Sequence, residues 1–226
     1  MRIAGIQKNS LIDFPGLPAC VIFTAGCNMD CFYCHNRRLI AGDPELIDTE
    51  YVLSFLKKRR GLLEGVVISG GEPTLQPDLA DFMEKVKALG FRLKLDTNGG
   101  RPDILEKVLP LTDYAAMDIK AEDGLYGSVC GGNAGDVRRS LDILLKSGIS
   151  FEARTTLYPG MTEDDLTALL ASYPRLPGWR LNIFRMPEVF RERDRERLSE
   201  KALTGADIRR LIPRLKKYQN IMDFGI

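Results

Sequence analysis

The chain predicts an α/β fold built on a parallel sheet, and three observations predict it. Short continuous apolar runs such as Val66-Val67-Ile68 read as strands buried on both faces, which is the habit of parallel sheets. Segments of helical periodicity alternate with these runs, giving six strand–helix units in succession. Polar motifs stand where each strand hands over to the following loop, and parallel strands carry all such ends to one edge. Right-handed crossovers then build either a doubly wound layer or a barrel that stops short of eight strands. The pattern leaves those two open.

In order, Met1 to Asn9 reads as a short strand before the turn-rich Asp13-Phe14-Pro15-Gly16, and Leu17 to Thr24 as the first core strand. A helix opens at Asp48 or Thr49, either a fair N-cap, and carries Tyr51, Val52, Phe55 and Leu56 on one face until Gly61. Gly65 to Ser69 is the second core strand. Leu79 to Leu89 is helical and closed by Gly90, Phe91 to Leu95 is a strand, Ile104 to Leu109 is helical, and Tyr114 to Ile119 is the next strand. Val137 to Lys146 is helical with Gly148 as terminator, and Ser150 to Leu157 is strand. Thr162 with Asp165 opens a helix to Tyr173, Trp179 to Phe184 is the sixth strand, and Thr204 with Asp207 opens a last helix to about Lys217. No sequence repeats.

A length of 226 residues suits one domain, expected as an N-terminal strand region 1–16, a core 17–185 and a C-terminal extension 186–226. The hydrophobic fraction of 44% and charged fraction of 28% are those of a soluble globular protein. Lys plus Arg, 32, nearly balance Asp plus Glu, 31, so no electrostatic pull toward nucleic acid or a membrane surface is expected. Five cysteines, three of them clustered, argue against a secreted disulfide framework and for a reduced, cytoplasmic home. The start of the chain lacks the apolar core of a signal peptide, and no run reaches transmembrane length.

Gly26 to Asn36 holds Cys27, Cys31 and Cys34 at C-x3-C-x2-C spacing, just beyond the first core strand. Thiolates at that spacing select zinc, copper(I) or an iron–sulfur cluster. A structural zinc site needs four closed ligands and no second Cys/His pair exists; clusters too normally take four cysteines. Three therefore leave one position open.

This spacing, with Tyr33 before the third cysteine, resembles the signature of radical S-adenosyl-L-methionine (SAM) enzymes, in which SAM chelates the fourth iron of a [4Fe-4S] cluster. The resemblance implies the partial barrel, here (β/α)6, and extends over most of the chain, from Ser10–Gly16 to Arg154-Thr155-Thr156 and Pro159-Gly160. Gly70-Gly71-Glu72-Pro73 resembles the family's second signature, whose backbone lies against the methionine amino group; two glycines let main chain approach a ligand. Asp96-Thr97-Asn98-Gly99 resembles the motif of glycyl-radical activating enzymes that lies near the methionine end of SAM. In some members its aspartate helps hold a monovalent cation with the aspartate of an Asp-x-Lys motif, here Asp118, while Lys120 would reach the SAM carboxylate. Arg154 is flanked by apolar strand residues and has the donor fork to bridge a carboxylate and a ribose hydroxyl; an ion pair with Glu152 is the alternative. His35, the single histidine, and Asn36 resemble the Cys-His-Asn of activating enzymes, which implies a cluster-tuning role for the first and SAM contact for the second.

Cys20 reads as a core residue, Cys130 as part of a flexible loop that belongs either to the surface or to the site, and the alternating charges of Arg191 to Arg197 as a solvated segment, with docking of a partner protein as the alternative. The family most resembled is that of anaerobic ribonucleoside-triphosphate reductase activating proteins. It implies reductive cleavage of SAM to methionine and a 5′-deoxyadenosyl radical, which takes hydrogen from a glycine Cα of a partner glycyl-radical enzyme. An electron donor such as flavodoxin or ferredoxin is implied as well. Asn182-Ile183-Phe184-Arg185 departs from the pyruvate formate-lyase activator pattern, which has a histidine near SAM. The rivals are a radical SAM enzyme acting on a small molecule, similar to 7-carboxy-7-deazaguanine synthase, and a non-catalytic metal-binding module.

Overall fold

The computed structural model describes residues 1–40 and 44–222. One sheet of seven strands runs through it in chain order. Strand β1 (Ile3–Ser10) lies antiparallel to β2 (Ala19–Thr24), and every later neighbour is parallel: β3 (Gly65–Gly70), β4 (Arg92–Thr97), β5 (Tyr114–Asp118), β6 (Ser150–Leu157) and β7 (Trp179–Ile183). The order never reverses, whereas a doubly wound sheet turns back at a switch point. The barrel alternative holds, with six parallel strands and an antiparallel edge strand.

Helices return the chain between strands: α1 (Thr49–Lys58), α2 (Leu79–Ala88), α3 (Pro102–Val108), the short α4 (Tyr126–Cys130) with α5 (Ala134–Ser147), and α6 (Glu163–Ala171); α7 (Gly205–Leu215) follows β7. Asp48, not Thr49, caps α1, its carboxylate accepting from the Glu50 N–H. Both Thr–Asp pairs form reciprocal capping boxes at α6 and α7. Strand β2 starts at Ala19 rather than Leu17 because Pro18 has no N–H for the ladder. Helices α3 and α5 start earlier than expected, α3 on Pro102 at its first turn and α5 under Asn133, whose side chain accepts from Gly135 and Asp136.

Strand periodicity divides the sheet. Cys20, Ile22, Val66, Ile68, Leu93, Leu95, Ala115 and Met117 join the core under the helices. On the other face, Ala19, Val21 and Val67 pack with Phe14 near the N-terminal strand ends. Phe14 comes from the β1–β2 turn and lies 6.2 Å from the Tyr114 ring; a Cβ on Gly65 would stand 2.7 Å from it, so glycine makes room for this plug. Above the plug the same face turns polar, with Lys94, Asp96, Asp118 and Arg154 in neighbouring registers. Buried charge is thereby placed at the edge where the loops gather.

Expected as an extension, residues 186–222 fold back onto the core, and 223–226 lie outside the described residues. Ile221 bridges to Trp179, and the buried Gln219 amide donates to the Leu170, Tyr173 and Pro174 carbonyls. Among the described residues no helix is long and apolar enough to cross a membrane.

Candidate active site

The cysteine loop leaves β2 through Gly26, whose φ of 86° is left-handed and suits glycine. Its shape is set by partners on three sides. Asp30 N–H donates to the Cys130 carbonyl at 2.7 Å and Phe32 N–H to the Val129 carbonyl at 3.4 Å. The buried Arg37 donates to the Asp30 carboxylate and to the Cys31 carbonyl. From outside, Arg191 and Arg193 also reach Asp30, and the Arg197 guanidinium lies 3.9 Å above the Phe32 ring. The Arg191–Arg197 segment is therefore no freely solvated run: Arg193 and Arg195 are exposed, while Arg191 and Arg197 hold the cysteine loop.

Gly70 and Gly71 cross under this loop. Gly71 N–H donates to the Thr24 carbonyl at 2.9 Å and Glu72 N–H to the Gly26 carbonyl at 2.8 Å. A Cβ at Gly71 would fall 1.9 Å from the Gly26 carbonyl oxygen, a backbone atom that cannot step aside. Gly71→Ala should cost about 2–3 kcal/mol, read by denaturant unfolding, because the added methyl overpacks a rigid crossing. A loss below about 0.5 kcal/mol would show that the crossing is not close-packed. The Gly70 carbonyl accepts from Asn36 Nδ2 at 2.7 Å, so one of its two lone pairs is already engaged.

Glu72 is fully buried and ties two motifs together. Its carboxylate accepts from Thr74 N–H at 3.1 Å, Thr74 Oγ1 at 2.6 Å, Thr97 Oγ1 at 2.8 Å and Asn98 N–H at 2.7 Å. Burial pushes the carboxyl above its ordinary value despite these donors. Asn98 in turn donates through Nδ2 to Asn28 Oδ1 at 2.8 Å and to Cys27 Sγ at 3.6 Å. The Asp96–Gly99 turn is thereby fixed against the first cysteine.

A chain of alternating charge closes the site. Lys94 Nζ lies 2.5 Å from Asp96, Arg154 bridges Asp96 and Asp118 at 3.1 Å each, and Lys120 Nζ lies 3.1 Å from Asp118. Burial disfavours both carboxylates, but Arg154 and Lys94 around Asp96, and Lys120 and Arg154 around Asp118, outweigh it and hold both below the usual range. Three cations face two anions, leaving one positive charge over, with Lys120 at the cavity. All four carboxylate oxygens already hold a side-chain cation, and the guanidinium stands between the two aspartates where the resemblance put a monovalent cation. The alternative Arg154–Glu152 ion pair does not form; Glu152 pairs with Arg180 at 3.1 Å.

The residues expected to hold the cluster or SAM line one cavity of about 280 Å³: Cys27, Cys31, Tyr33, Cys34, His35, Asn36, Gly70, Gly71, Glu72, Asp96, Thr97, Asn98, Asp118, Lys120 and Arg154. Met29, Ile40, Ser69, Thr156 and Asn182 join them. Thr156 and Asn182 sit at the C-terminal ends of β6 and β7, so the strand-end rule was the signal that locates them. His35 packs 6.2 Å from the Phe184 ring, and partial burial lowers its pKa. Cys20 is fully buried in β2, as expected of a core residue. The flexible loop expected around Cys130 is a correction: the residue ends α4, fully buried, its thiol donating to the Tyr126 carbonyl at 3.2 Å. The neighbouring Cys130 thiol is the main cause pulling the Cys31 thiol down to about 6, whereas burial pushes Cys27 up to about 11.

Two observations test whether this cavity fits the group that the cysteines call for. Among the described residues no three His, Cys, Asp or Glu side chains are grouped for a single ion; the thiols instead face one cavity from three points of a loop. Tyr33 lines that cavity, its hydroxyl buried and without a hydrogen-bond partner and its ring stacked on Tyr158 at 5.3 Å. An orphaned buried hydroxyl costs about 1–3 kcal/mol and marks a place where a polar ligand belongs. A multi-iron cluster on the thiols with a polar, anionic co-ligand beside Lys120 fits both.

The radical SAM superfamily model matches residues 21–172, two thirds of the sequence. The chain belongs to the radical SAM superfamily. That family implies a [4Fe-4S] cluster and SAM. Over 177 residues, 73% of the chain and 72% of the relative, it is 34% identical to a protein of Methanocaldococcus jannaschii named provisionally as a glycyl-radical enzyme activating enzyme. It is 33% identical to the pyruvate formate-lyase-activating enzyme of Clostridium pasteurianum, over 72% of the chain and 71% of that enzyme. With the 7-carboxy-7-deazaguanine synthase of Thermococcus kodakarensis it shares 35% identity over 43% of the chain and 47% of the relative. Among solved structures, Streptococcus suis SuiB bound to S-adenosylmethionine superimposes with a TM-score of 0.66 at 16% identity, over 91% of this chain and half of that one, and supports the partial-barrel fold.

Proposed function

We propose that this radical SAM enzyme is a glycyl-radical enzyme activating enzyme whose partner is an anaerobic ribonucleoside-triphosphate reductase. The observation that carries the reading is the cavity itself, where cysteine loop, double glycine, Asp96–Gly99 turn and Asp118-x-Lys120 meet. The activating-enzyme relatives support it by matching almost three quarters of the chain, against 43% and 54% for two deazaguanine synthases. When bound, the cluster supplies the electron that breaks the C–S bond of SAM to methionine and a 5′-deoxyadenosyl radical, which removes hydrogen from a glycine Cα of the partner.

The chain's own residues do the holding. Cys27, Cys31 and Cys34 would ligate three irons and leave the fourth for SAM. Lys120, carrying the surplus charge, would receive the SAM carboxylate, and Arg154, fixed by two aspartates, would offer its free guanidinium edge to the same ligand. Asn36 and Glu72 act on the ligand indirectly, by anchoring the Gly70-Gly71 crossing and the Thr97–Asn98 turn. Free thiols and a reducible cluster suit a reducing cytoplasm and a one-electron donor such as flavodoxin or ferredoxin.

The test is direct. Incubated anaerobically with SAM, reductant and the ribonucleotide reductase of its own organism, the reconstituted protein should produce the glycyl-radical doublet in the electron paramagnetic resonance (EPR) spectrum of the reductase. Formation of 5′-deoxyadenosine with no doublet on any glycyl enzyme of that organism would overturn the activase reading and leave a small-molecule substrate, as for the deazaguanine synthase.

A further inference from the structure

The loop that carries the three thiols is held from two sides. On the barrel side, Glu72 N–H donates to the Gly26 carbonyl and Asn98 reaches Cys27. On the outer side the holding converges on Asp30, the residue before Cys31. Its side chain is 50% exposed and does not line the cavity, so it is no ligand of iron or SAM. Each of its polar groups is nonetheless engaged. The N–H donates to the Cys130 carbonyl at 2.7 Å, and the carbonyl accepts from Arg191 Nη2 at 3.4 Å. One carboxylate oxygen accepts from Arg37, the other from Arg191 and, at 3.2 Å, from Arg193. Arg37 donates at the same time to the Cys31 carbonyl, so Asp30 and the ligand beside it share one guanidinium.

We propose that Asp30 is a positioning residue for the cluster: a strap formed by residues 190–198 fastens to its carboxylate, and that joint sets how tightly the cysteine loop retains iron. The strap is itself anchored in the body of the protein. Leu198 is buried in the core, Phe190 packs against that core, and Arg191 pairs with the buried Asp194 at 2.6 Å as well as with Asp30. Arg197 braces the same joint, over the Phe32 ring at 3.9 Å and on the Ser128 carbonyl at 3.0 Å. An isolated exposed ion pair contributes little, but Asp30 is the centre of a network in which Arg37, Arg191 and Arg193 meet one carboxylate. Local opening of a segment is governed by the contacts that hold that segment, not by the stability of the whole fold. Removing the Asp30 charge releases the strap and lets the loop open outward at Cys31.

The inference rests on the cluster reading but not on the identity of the glycyl partner, and its measurement needs no turnover. Anaerobically reconstituted wild type, Asp30→Asn, Arg191→Gln and the double variant are mixed with a colorimetric ferrous chelator, and the rate of iron release is followed. Arg210→Gln, which removes a surface ion pair with Glu163 between α6 and α7, is the control. Asp30→Asn should release iron about tenfold faster than wild type, the effect of about one charge-assisted hydrogen bond. Arg191→Gln should release it about threefold faster, the scale of one partly exposed pair. The double variant should be no faster than Asp30→Asn, since both changes undo one joint. Arg210→Gln should match wild type. Added salt screens partly exposed charges, so it should speed release from wild type and leave Asp30→Asn unchanged. Wild-type rates in Asp30→Asn would overturn the proposal. So would a double variant whose rate multiplies the single effects, or a gap that salt does not narrow, which would mean packing rather than charge. Should Asp30→Asn take up no iron, Arg191→Gln against Arg210→Gln decides alone, and equal rates overturn it. A wild type that takes up no cluster would overturn the ligand assignment and this inference with it.

Discussion

Cys27→Ala should lose the iron–sulfur chromophore and all SAM cleavage, while Cys20→Ala retains both and loses only about 1–2 kcal/mol of stability, the cost of a small cavity in a packed core. The two cysteines are close in sequence and differ by which side of the sheet they serve. Cys20 is fully buried among the helix-facing apolar residues, whereas Cys27 faces the cavity and takes hydrogen bonds from Met29 N–H at 3.4 Å and Asn98 Nδ2. Removing a core thiol takes away dispersion contacts. Removing Cys27 takes away one of three ligands, and two thiolates cannot hold the cluster against loss of iron. Iron and acid-labile sulfide per chain, with thermal unfolding of each variant, check the pair. Equal loss of iron from both would mean that the ligand assignment is wrong.

The contrast between these two cysteines was legible in the sequence because it follows from strand periodicity and from the rule that parallel strands gather their C-terminal ends. By the same logic Gly70-Gly71, Asp96-Thr97-Asn98 and Asp118-x-Lys120 could be placed together before any coordinates. Other features depended on partners that sequence spacing does not reveal. Cys130 read as loop because Gly131 and Gly132 follow it; its burial arises from the pairing of 129–130 with the cysteine loop, a contact roughly a hundred residues away in the chain. Likewise the Arg191–Arg197 charges read as solvated because alternation describes neighbours in sequence, while Arg191 and Arg197 find Asp30 and Phe32 across the fold. Two aspartates announce a need for positive charge, and only the register of β4, β5 and β6 shows that Arg154 bridges them.

That bridging guanidinium makes Arg154→Met the second large perturbation. Arg154 holds two carboxylates that are themselves mostly shielded, its side chain 18% exposed against 12% for Asp96 and 32% for Asp118. Truncation strands both anions beside only Lys94 and Lys120, and breaking a buried pair costs about 3–5 kcal/mol; partial exposure of Asp118 places the expected loss near the lower end. In the wild type the folded-state pKa values of both aspartates lie below their unfolded ones. Their contribution is therefore fully present above the ordinary carboxylate range, about pH 4, and is lost as pH falls through the depressed folded values. Without Arg154 those folded values rise, so the deficit of the variant should be largest at neutral pH and shrink on acidification, as the stranded carboxylates take up protons. Arg154→Lys keeps the charge but cannot fork to both aspartates, and should recover only part of the loss. SAM affinity should fall at least about tenfold in Arg154→Met, since one charge-assisted hydrogen bond is worth more than the 1.4 kcal/mol that a factor of ten requires. Denaturant unfolding between pH 4 and 8, with SAM titrated into the reconstituted protein, measures both. A deficit that does not change with pH would show that Arg154 acts by packing, and unchanged SAM affinity would remove it from the ligand site.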